Sequence, residues 1–547
     1  MSRRRSRRTR PVAEGSDRRV ARHAIGELAP PEMAVLFRRR ALYVIGGAVL
    51  FAAIYALLSW LKYRAYMDAR FDLGNMVQAV YNTANGRFLE ITTGEVVPRQ
   101  MSRFGSHVDP ILALFALPWL VWPSPVMLLV AQASIVATGA WPAYRLGTRA
   151  TRDPSAGALL AGAYLLYPAL GFLVLNEFHP VALATPLLLW AFLYMEESRW
   201  ARAAVFLILA AACKETVPLV IAFMGAYFAI RKRSWGPLLV SIAGVAWFAL
   251  AVWVVIPHYN GDQSAFIARY GDYGAGAGEV VKTALAQPSQ TFADFTSAAN
   301  LDYWFKLLWP FAFTSLLSPL TVLIALPEYA LNALSATTFQ RRIEFHYTAL
   351  EIPFLYAAAV LGVMRLWRWL GGGFRRAESL MTRERVRRGT LALVVLLAAL
   401  AGNYVLGPLP FSLPGAAYDG RDYAKSAHAA VLDEAVALIP DGVSVSANNN
   451  AGAQLAARRV AYVFPYFDDA EWVIVDQKRP FFYDKEDSRL HAQALGRLVL
   501  DGRFQSVYAK DGVFVFKRVG GDTGLQTAPD GAPSPGASVS PGSSSVP

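Results

Sequence analysis

The sequence predicts a bundle of membrane-spanning α-helices with a small α/β domain attached at its C-terminal end, and three observations predict it. Of its 547 residues 55% are apolar, 13% aromatic and only 17% charged, a composition too apolar for a soluble chain. Runs such as 41–61 and 236–256 hold about twenty uncharged, mostly apolar residues, the length an α-helix needs to cross ~30 Å of hydrocarbon. Beyond Pro414 the composition returns to that of an ordinary soluble domain. The single cysteine, Cys213, excludes an intramolecular disulfide and a multi-cysteine metal site.

The net charge of +13 would point to nucleic acid in a soluble chain. Here the bases are segregated, which in a membrane protein sets topology, so no nucleic-acid partner is expected. The first forty residues hold twelve arginines against four acids, and bases recur at Arg145, Arg149 and Arg152, at Arg231, Lys232 and Arg233, and across 375–388. The segment 257–303 holds five acids and two bases. The positive-inside rule therefore places the N-terminus and the basic clusters in the cytoplasm and the acidic loop outside. Residues 2–10 have no adjacent apolar core, so they are no cleavable signal, and 1–40 reads as a disordered basic segment.

Within the transmembrane domain, 41–410, span one is 41–61, followed by a long first outer loop, 62–124. The apolar piece 111–122 inside that loop is short and contains Pro118, which suits an interfacial helix. Spans follow at 125–146, 156–175 and 181–195. The apolar stretch 201–230 carries Lys214 and Glu215 at its centre and fits two short passes with both charges at the outer turn. Further spans at 236–256, 303–318, 319–334, 349–370 and 391–406 bring the total to about eleven, with the N-terminus inside and the C-terminus outside. The outer domain, 415–518, reads as helix 423–439, strands 443–447, 460–464 and 472–476, helix 488–500, and a hairpin of 505–510 and 513–517 around Asp511-Gly512. The Gly, Pro and Ser content of 519–547 makes the tail disordered.

In this topology the unusual polar residues at span ends emerge on one side: Asp72, His107 and Asp109, then Glu177 and His179, Lys214 and Glu215, and Arg341, Arg342, His346 and Tyr347. Acids, histidines and cations converging on one face of a bundle describe a site at the outer leaflet. Ordinary readings stand beside this one. Asp68, Glu90, Arg99 and Arg103 are most simply solvated loop residues. Asp72 and Asp109 each stand where a helix cap would, and His179 could be an interfacial anchor. Lys214 and Glu215 resist such a reading, because ions in an apolar stretch cost ~2.5 kcal/mol or more each. His107 with Asp109, and Glu177 with His179, offer metal ligands but match no metal motif by spacing, so a divalent ion is neither required nor excluded. No Walker loop, nucleophile elbow or dinucleotide fingerprint is present.

These residues carry a resemblance. The segments Phe71-Asp72-Leu73-Gly74-Asn75-Met76-Val77-Gln78, Phe104-Gly105-Ser106-His107-Val108-Asp109-Pro110, Asn176-Glu177-Phe178-His179-Pro180 and Cys213-Lys214-Glu215 resemble the domain-of-unknown-function 2079 family of bacterial membrane proteins. So does the outer-domain piece 439–449, and the resemblance spans about residues 40 to 518. That family is in turn similar to the GT-C glycosyltransferases, integral membrane enzymes that use polyprenyl-phosphate sugars. The resemblance implies that Asp72, or less directly Asp68, is the first-loop acid that acts as base or binds metal. Asp109 matches the second acidic position, and Lys214-Glu215-Thr216 an element at a comparable outer turn. The chain departs from the GT-C pattern in lacking adjacent paired acids in the first loop.

The implied activity is inverting transfer of a hexosyl or pentosyl group from a polyprenyl-phosphate donor to an envelope acceptor, at the outer face of a bacterial plasma membrane. Asp72, Asp109 and His107 would serve the chemistry. Glu177, His179, Lys214, Glu215, Arg341, Arg342, His346 and Tyr347 would bind substrate. A transporter or flippase for a polar-headed lipid or solute would place similar charges along a passage. A non-catalytic envelope scaffold would leave Lys214 and Glu215 unexplained.

Overall fold

The computed structural model describes residues 31–94, 98–371, 380–480, 484–485 and 488–519. Residues 1–30 and 520–547, read above as disordered, lie outside the described residues, as does 375–379 of the last basic cluster. The chain is mostly helical, with a small C-terminal sheet. The first helix runs Pro31–Arg64, so residues 31–40 belong to it and not to a disordered arm.

That helix is apolar all round, as a membrane helix must be. Phe51, Tyr55 and Leu58 are buried, and it packs against Pro125–Ala137 and Pro154–Leu165, while Leu42, Val49, Leu50 and Leu57 remain exposed on the other side. Among the described residues four helical stretches are long and apolar enough to cross a bilayer: Val35–Arg64, Pro125–Thr151, Leu238–Asn260 and Arg388–Leu406. A bent pair, Pro154–Leu165 with Pro168–Leu175 at 46°, makes five. The eleven passes read from composition are not reached by this measure, for two physical reasons. Several fall on helices such as Trp200–Ala211, whose 12 residues rise only ~18 Å. The run read as passes 303–318 and 319–334 is broken near Pro310 and Pro319 into Ala298–Leu308, short 3-10 turns, Pro319–Val322 and Leu326–Ala333.

The stretch 201–230 does divide in two, Trp200–Ala211 and Val217–Lys232, with Lys214 and Glu215 in the intervening turn. In the first loop, β1 (Glu90–Thr92) pairs with β2 (Gln100–Ser102). Short helical turns, Pro110–Phe115 and Ala116–Trp119, follow, with Leu117, Leu120, Val121 and Trp122 exposed as an interfacial segment requires.

The C-terminal unit is a five-stranded sheet of β3 (Val445–Ala447), β4 (Ala461–Val463), β5 (Trp472–Asp476), β6 (Phe504–Lys510) and β7 (Val513–Arg518), in the order β4-β3-β5-β7-β6. Strands β3, β4 and β5 are parallel, and β7 joins β5 antiparallel. The β6–β7 hairpin turns at Asp511 (φ 51°) and Gly512 (φ 80°), the two left-handed residues a tight hairpin requires. Helices Ala427–Ala437 and Ser488–Leu500 belong to the unit, and the sequence reading missed the short helix Asn449–Gln454 after β3.

Small residues let the bundle's backbones approach closely. A Cβ on Gly362, in the helix Ile352–Gly371, would overlap the carbonyl oxygen of Thr314. Gly362→Ala should therefore lower stability by ~1–3 kcal/mol. A thermal unfolding midpoint in detergent equal to that of the unaltered chain would contradict this packing.

Candidate functional site

After the first helix the chain turns through Arg70–Gly74, a five-residue π-turn, before Asn75–Ala84 begins. Asp72 sits in that turn. It caps nothing: the N-cap of the following helix is Gly74, and no side-chain cap bond forms there. Glu177 holds the turn from the bundle side, accepting the backbone N–H of Ala69 (3.0 Å) and of Leu73 (2.8 Å) on its two oxygens. To do so Glu177 adopts a left-handed backbone (φ 55°), costly for a residue with a Cβ. Burial, then the neighbouring Asp72 and Asp68, push its carboxyl well above the usual range. Glu177 is thus a support behind the site and does not line the cavity.

The cavity has a volume of about 310 Å³, within the range of small-molecule sites. Asp72, His107, Asp109, His179, Lys214, His346 and Tyr347 all line it, although they come from five separate segments of sequence. Arg341 and Arg342, expected as substrate ligands, do not; Arg342 is exposed and faces Glu344 at 3.4 Å. Glu215 opens instead onto a smaller adjoining cavity of about 140 Å³, which shares His107, Lys214, Phe266 and Arg269 with the larger one and also reaches Glu328.

Most of the charge here is paired. Asp109 does not cap the turn after it; its Oδ2 receives Arg103 Nε at 2.7 Å, and both side chains are buried. Arg103 is therefore no solvated loop residue. Neither is Asp68, which burial lifts to about 6, with Lys62 opposing and Asp72 adding. Glu215 accepts from His107 Nδ1 (2.9 Å) and the Val108 N–H (3.1 Å). Burial alone would raise the Glu215 carboxyl, but His107 and Lys214 outweigh it and hold it at about 2.

One histidine faces Asp72 and a second stacks on the first. His179 Nδ1 lies 2.7 Å from the Asn176 carbonyl, which can only accept, so Nδ1 carries the hydrogen, and Nε2 lies 3.4 Å from Asp72 Oδ1 without a hydrogen-bond partner among the described residues. His346 stacks on His179 with ring centres 3.7 Å apart and bonds Asn176 Oδ1. Burial first, then His179, holds His346 well below the ordinary imidazole range. Gln132, from the helix Pro125–Ala137, fixes the turn by accepting the His179 N–H at 2.8 Å.

Two cations stand apart. Lys214 lies over the Tyr347 ring at 5.9 Å, and Arg269 stacks on Phe266 at 4.5 Å and donates to the Tyr347 hydroxyl at 3.3 Å. Among the described residues neither has a carboxylate within ion-pair distance. Sequence reasoning missed Arg269, Asn176 and Gln132. Arg269 left a signal: it is one of only two bases in an acidic loop, beside Phe266 and Tyr270. Among the described residues no group of three or more His, Cys, Asp or Glu side chains is placed to hold a metal ion.

Apolar helices around a polar cavity lined in part by the first loop define an integral membrane protein. The chain belongs to the DUF2079 family of predicted membrane proteins, whose family model matches residues 64–515, from the end of the first helix through the C-terminal sheet. No curated protein matches the chain.

The two cavity carboxylates should respond differently to removal. Asp109→Ala strands the buried Arg103 guanidinium and should lower stability by ~3–5 kcal/mol, whereas Asp72→Asn should cost under ~1 kcal/mol. Unfolding midpoints in detergent compare them, and equal losses would refute the division.

Proposed function

We propose that this chain is a GT-C-like glycosyltransferase that moves a sugar from a polyprenyl-phosphate donor to an envelope acceptor at the outer face of a bacterial plasma membrane. The observation that carries the reading is one cavity holding a carboxylate that caps no helix, Asp72, together with two cations, Lys214 and Arg269, that have no carboxylate within ion-pair distance among the described residues. That is the complement of a transfer in which a hydroxyl loses its proton and a phosphate leaves.

In this reading the donor phosphate lies between Lys214 and Arg269, whose charges stabilise it as the bond to the anomeric carbon breaks. Asp72 takes the acceptor hydroxyl's proton as its oxygen attacks the opposite face of that carbon, inverting it. His179 Nε2, beside Asp72, can relay that proton. Asp109, locked to Arg103, and His107, locked to Glu215, shape the acceptor side. The accompanying topology has about eleven passes, the N-terminus in the cytoplasm, and the loop 257–303 and the C-terminal unit outside.

Cysteine substitutions at Ser264 and at the exposed Ser506 should both react with an impermeant thiol reagent in intact cells. Reaction only after permeabilisation would reverse the orientation. In reconstituted membranes with radiolabelled lipid donor, Asp72→Asn should transfer sugar about 10² times more slowly or worse, with donor binding retained. Arg269→Gln should raise the donor KM by about tenfold. Transfer by Asp72→Asn at the unaltered rate would eliminate Asp72 as the base.

A further inference from the structure

In open α/β sheets, ligands bind beyond the carboxyl ends of the parallel strands where the strand order reverses, here between β3 and β5. That place is occupied from within the chain. Asn448, which follows β3, accepts the Asp476 N–H from the end of β5 at 2.7 Å, and Asn450 donates to the Asp476 carboxylate at 2.9 Å. Between them, Asn449 turns its Oδ1 to the membrane bundle and accepts the backbone N–H of Phe71 at 3.1 Å. Phe71 immediately precedes Asp72.

Arg70 makes the second connection. It is 1% exposed, and amide and carbonyl oxygens receive its guanidinium: Asn75 Oδ1 and Gln78 Oε1 at 2.6 Å each, and the Ala461 carbonyl of β4 at 2.9 Å. Two glycines press against its stem. A Cβ on Gly74 would stand 2.8 Å from Arg70 Cδ, and one on Gly452, in the helix Asn449–Gln454, 2.6 Å from Arg70 Cβ. Thr92 of β1 accepts the Ala461 N–H at 3.1 Å, and Gln78 donates to the Arg459 carbonyl at 2.8 Å, so the first loop covers the edge of β4.

We propose that the C-terminal α/β unit is a positioning device for Asp72. Asn449, Gly452 and the β4 edge hold the Arg70–Gly74 turn from one side while Glu177 holds it from the other, and the crevice that would take a ligand in a free-standing domain takes this turn. Arg70, Asn449 and Gly452 are positioning residues and touch no substrate. The kinetic part of the test rests on the reading of Asp72 as the base; the exchange part does not.

Gly452→Ala separates positioning from folding, because alanine favours a helix over glycine but its methyl displaces Arg70. Gly496→Ala, in the helix Ser488–Leu500 with no atom within 4 Å of the added Cβ, is the control. In the full chain, Gly452→Ala should lower the unfolding midpoint by no more than Gly362→Ala does and speed hydrogen exchange at the Phe71 and Leu73 amides about tenfold. It should also lower kcat about tenfold or more with donor KM within about twofold. The control should match the unaltered protein throughout. Exchange and kcat at unaltered values in Gly452→Ala would overturn the proposal. If the unaltered chain transfers no sugar, the functional reading fails and the exchange result alone decides. Should Gly452→Ala fold poorly, Asn449→Ala, which removes the acceptor of the Phe71 N–H, is read by the same criteria.

Discussion

A charge at the edge of a bilayer costs several kcal/mol unless it is paired or hydrogen-bonded, and the mouth of this bundle is built on that constraint. Arg103 lies against Asp109 at 2.7 Å, His107 against Glu215 at 2.9 Å, and His179 against Asp72 at 3.4 Å. Each pair joins segments that the membrane helices alone would leave apart, or closes a loop onto itself. The Glu215 pair ties the first loop to the turn between Trp200–Ala211 and Val217–Lys232. The Asp72 pair ties that loop to the start of Pro180–Glu196. With these pairs satisfied, Lys214 and Arg269 are left with aromatic faces and a phenol as partners. Neither cation has a carboxylate within ion-pair distance among the described residues, although Lys214 acts at longer range on Glu215 and Glu328.

How much of this was legible in the sequence follows from the range of the interactions. Lys214 and Glu215 could be placed at a turn because charge interrupting an apolar run is a local signal, and two helices do meet there. The Asp511-Gly512 hairpin was equally local. The gathering of Asp72, His107, Asp109, His179, Lys214, His346 and Tyr347 around one cavity followed from placing span ends on one side, a coarse argument that needed no contact. It failed for Arg341 and Arg342, which do not line the cavity. Loop composition likewise could not tell that Arg103 and Asp68 are buried. Glu177 was named for the right segment and the wrong task, because its bonds to Ala69 and Leu73 cross more than a hundred residues. The contacts of Arg70 with Ala461 and of Phe71 with Asn449 cross 391 and 378 residues and leave no periodicity behind.

The same bonds narrow the chemistry. Among the described residues only Asp72 and Asp109 bring a carboxylate to the larger cavity. Asp109 is held by Arg103 at 2.7 Å in a nearly dry environment, where burial raises its carboxyl and the guanidinium opposes that rise, so any move of this acid to meet a substrate would strand a buried arginine. Glu215 and Glu177 spend their oxygens on His107 and on backbone N–H groups. Asp72 differs in kind, since its partner is an imidazole whose other nitrogen is committed to the Asn176 carbonyl. His179 Nε2 stands 3.4 Å from Asp72 Oδ1 and has no hydrogen-bond partner among the described residues, so the two groups are neighbours that no bond locks together. The turn carrying Asp72 is gripped by the bundle through Glu177 and by the C-terminal unit through Asn449 and Ala461. A solvated loop acid would have no need of two clamps from opposite ends of the chain; an acid that must meet a reacting hydroxyl at hydrogen-bond distance would.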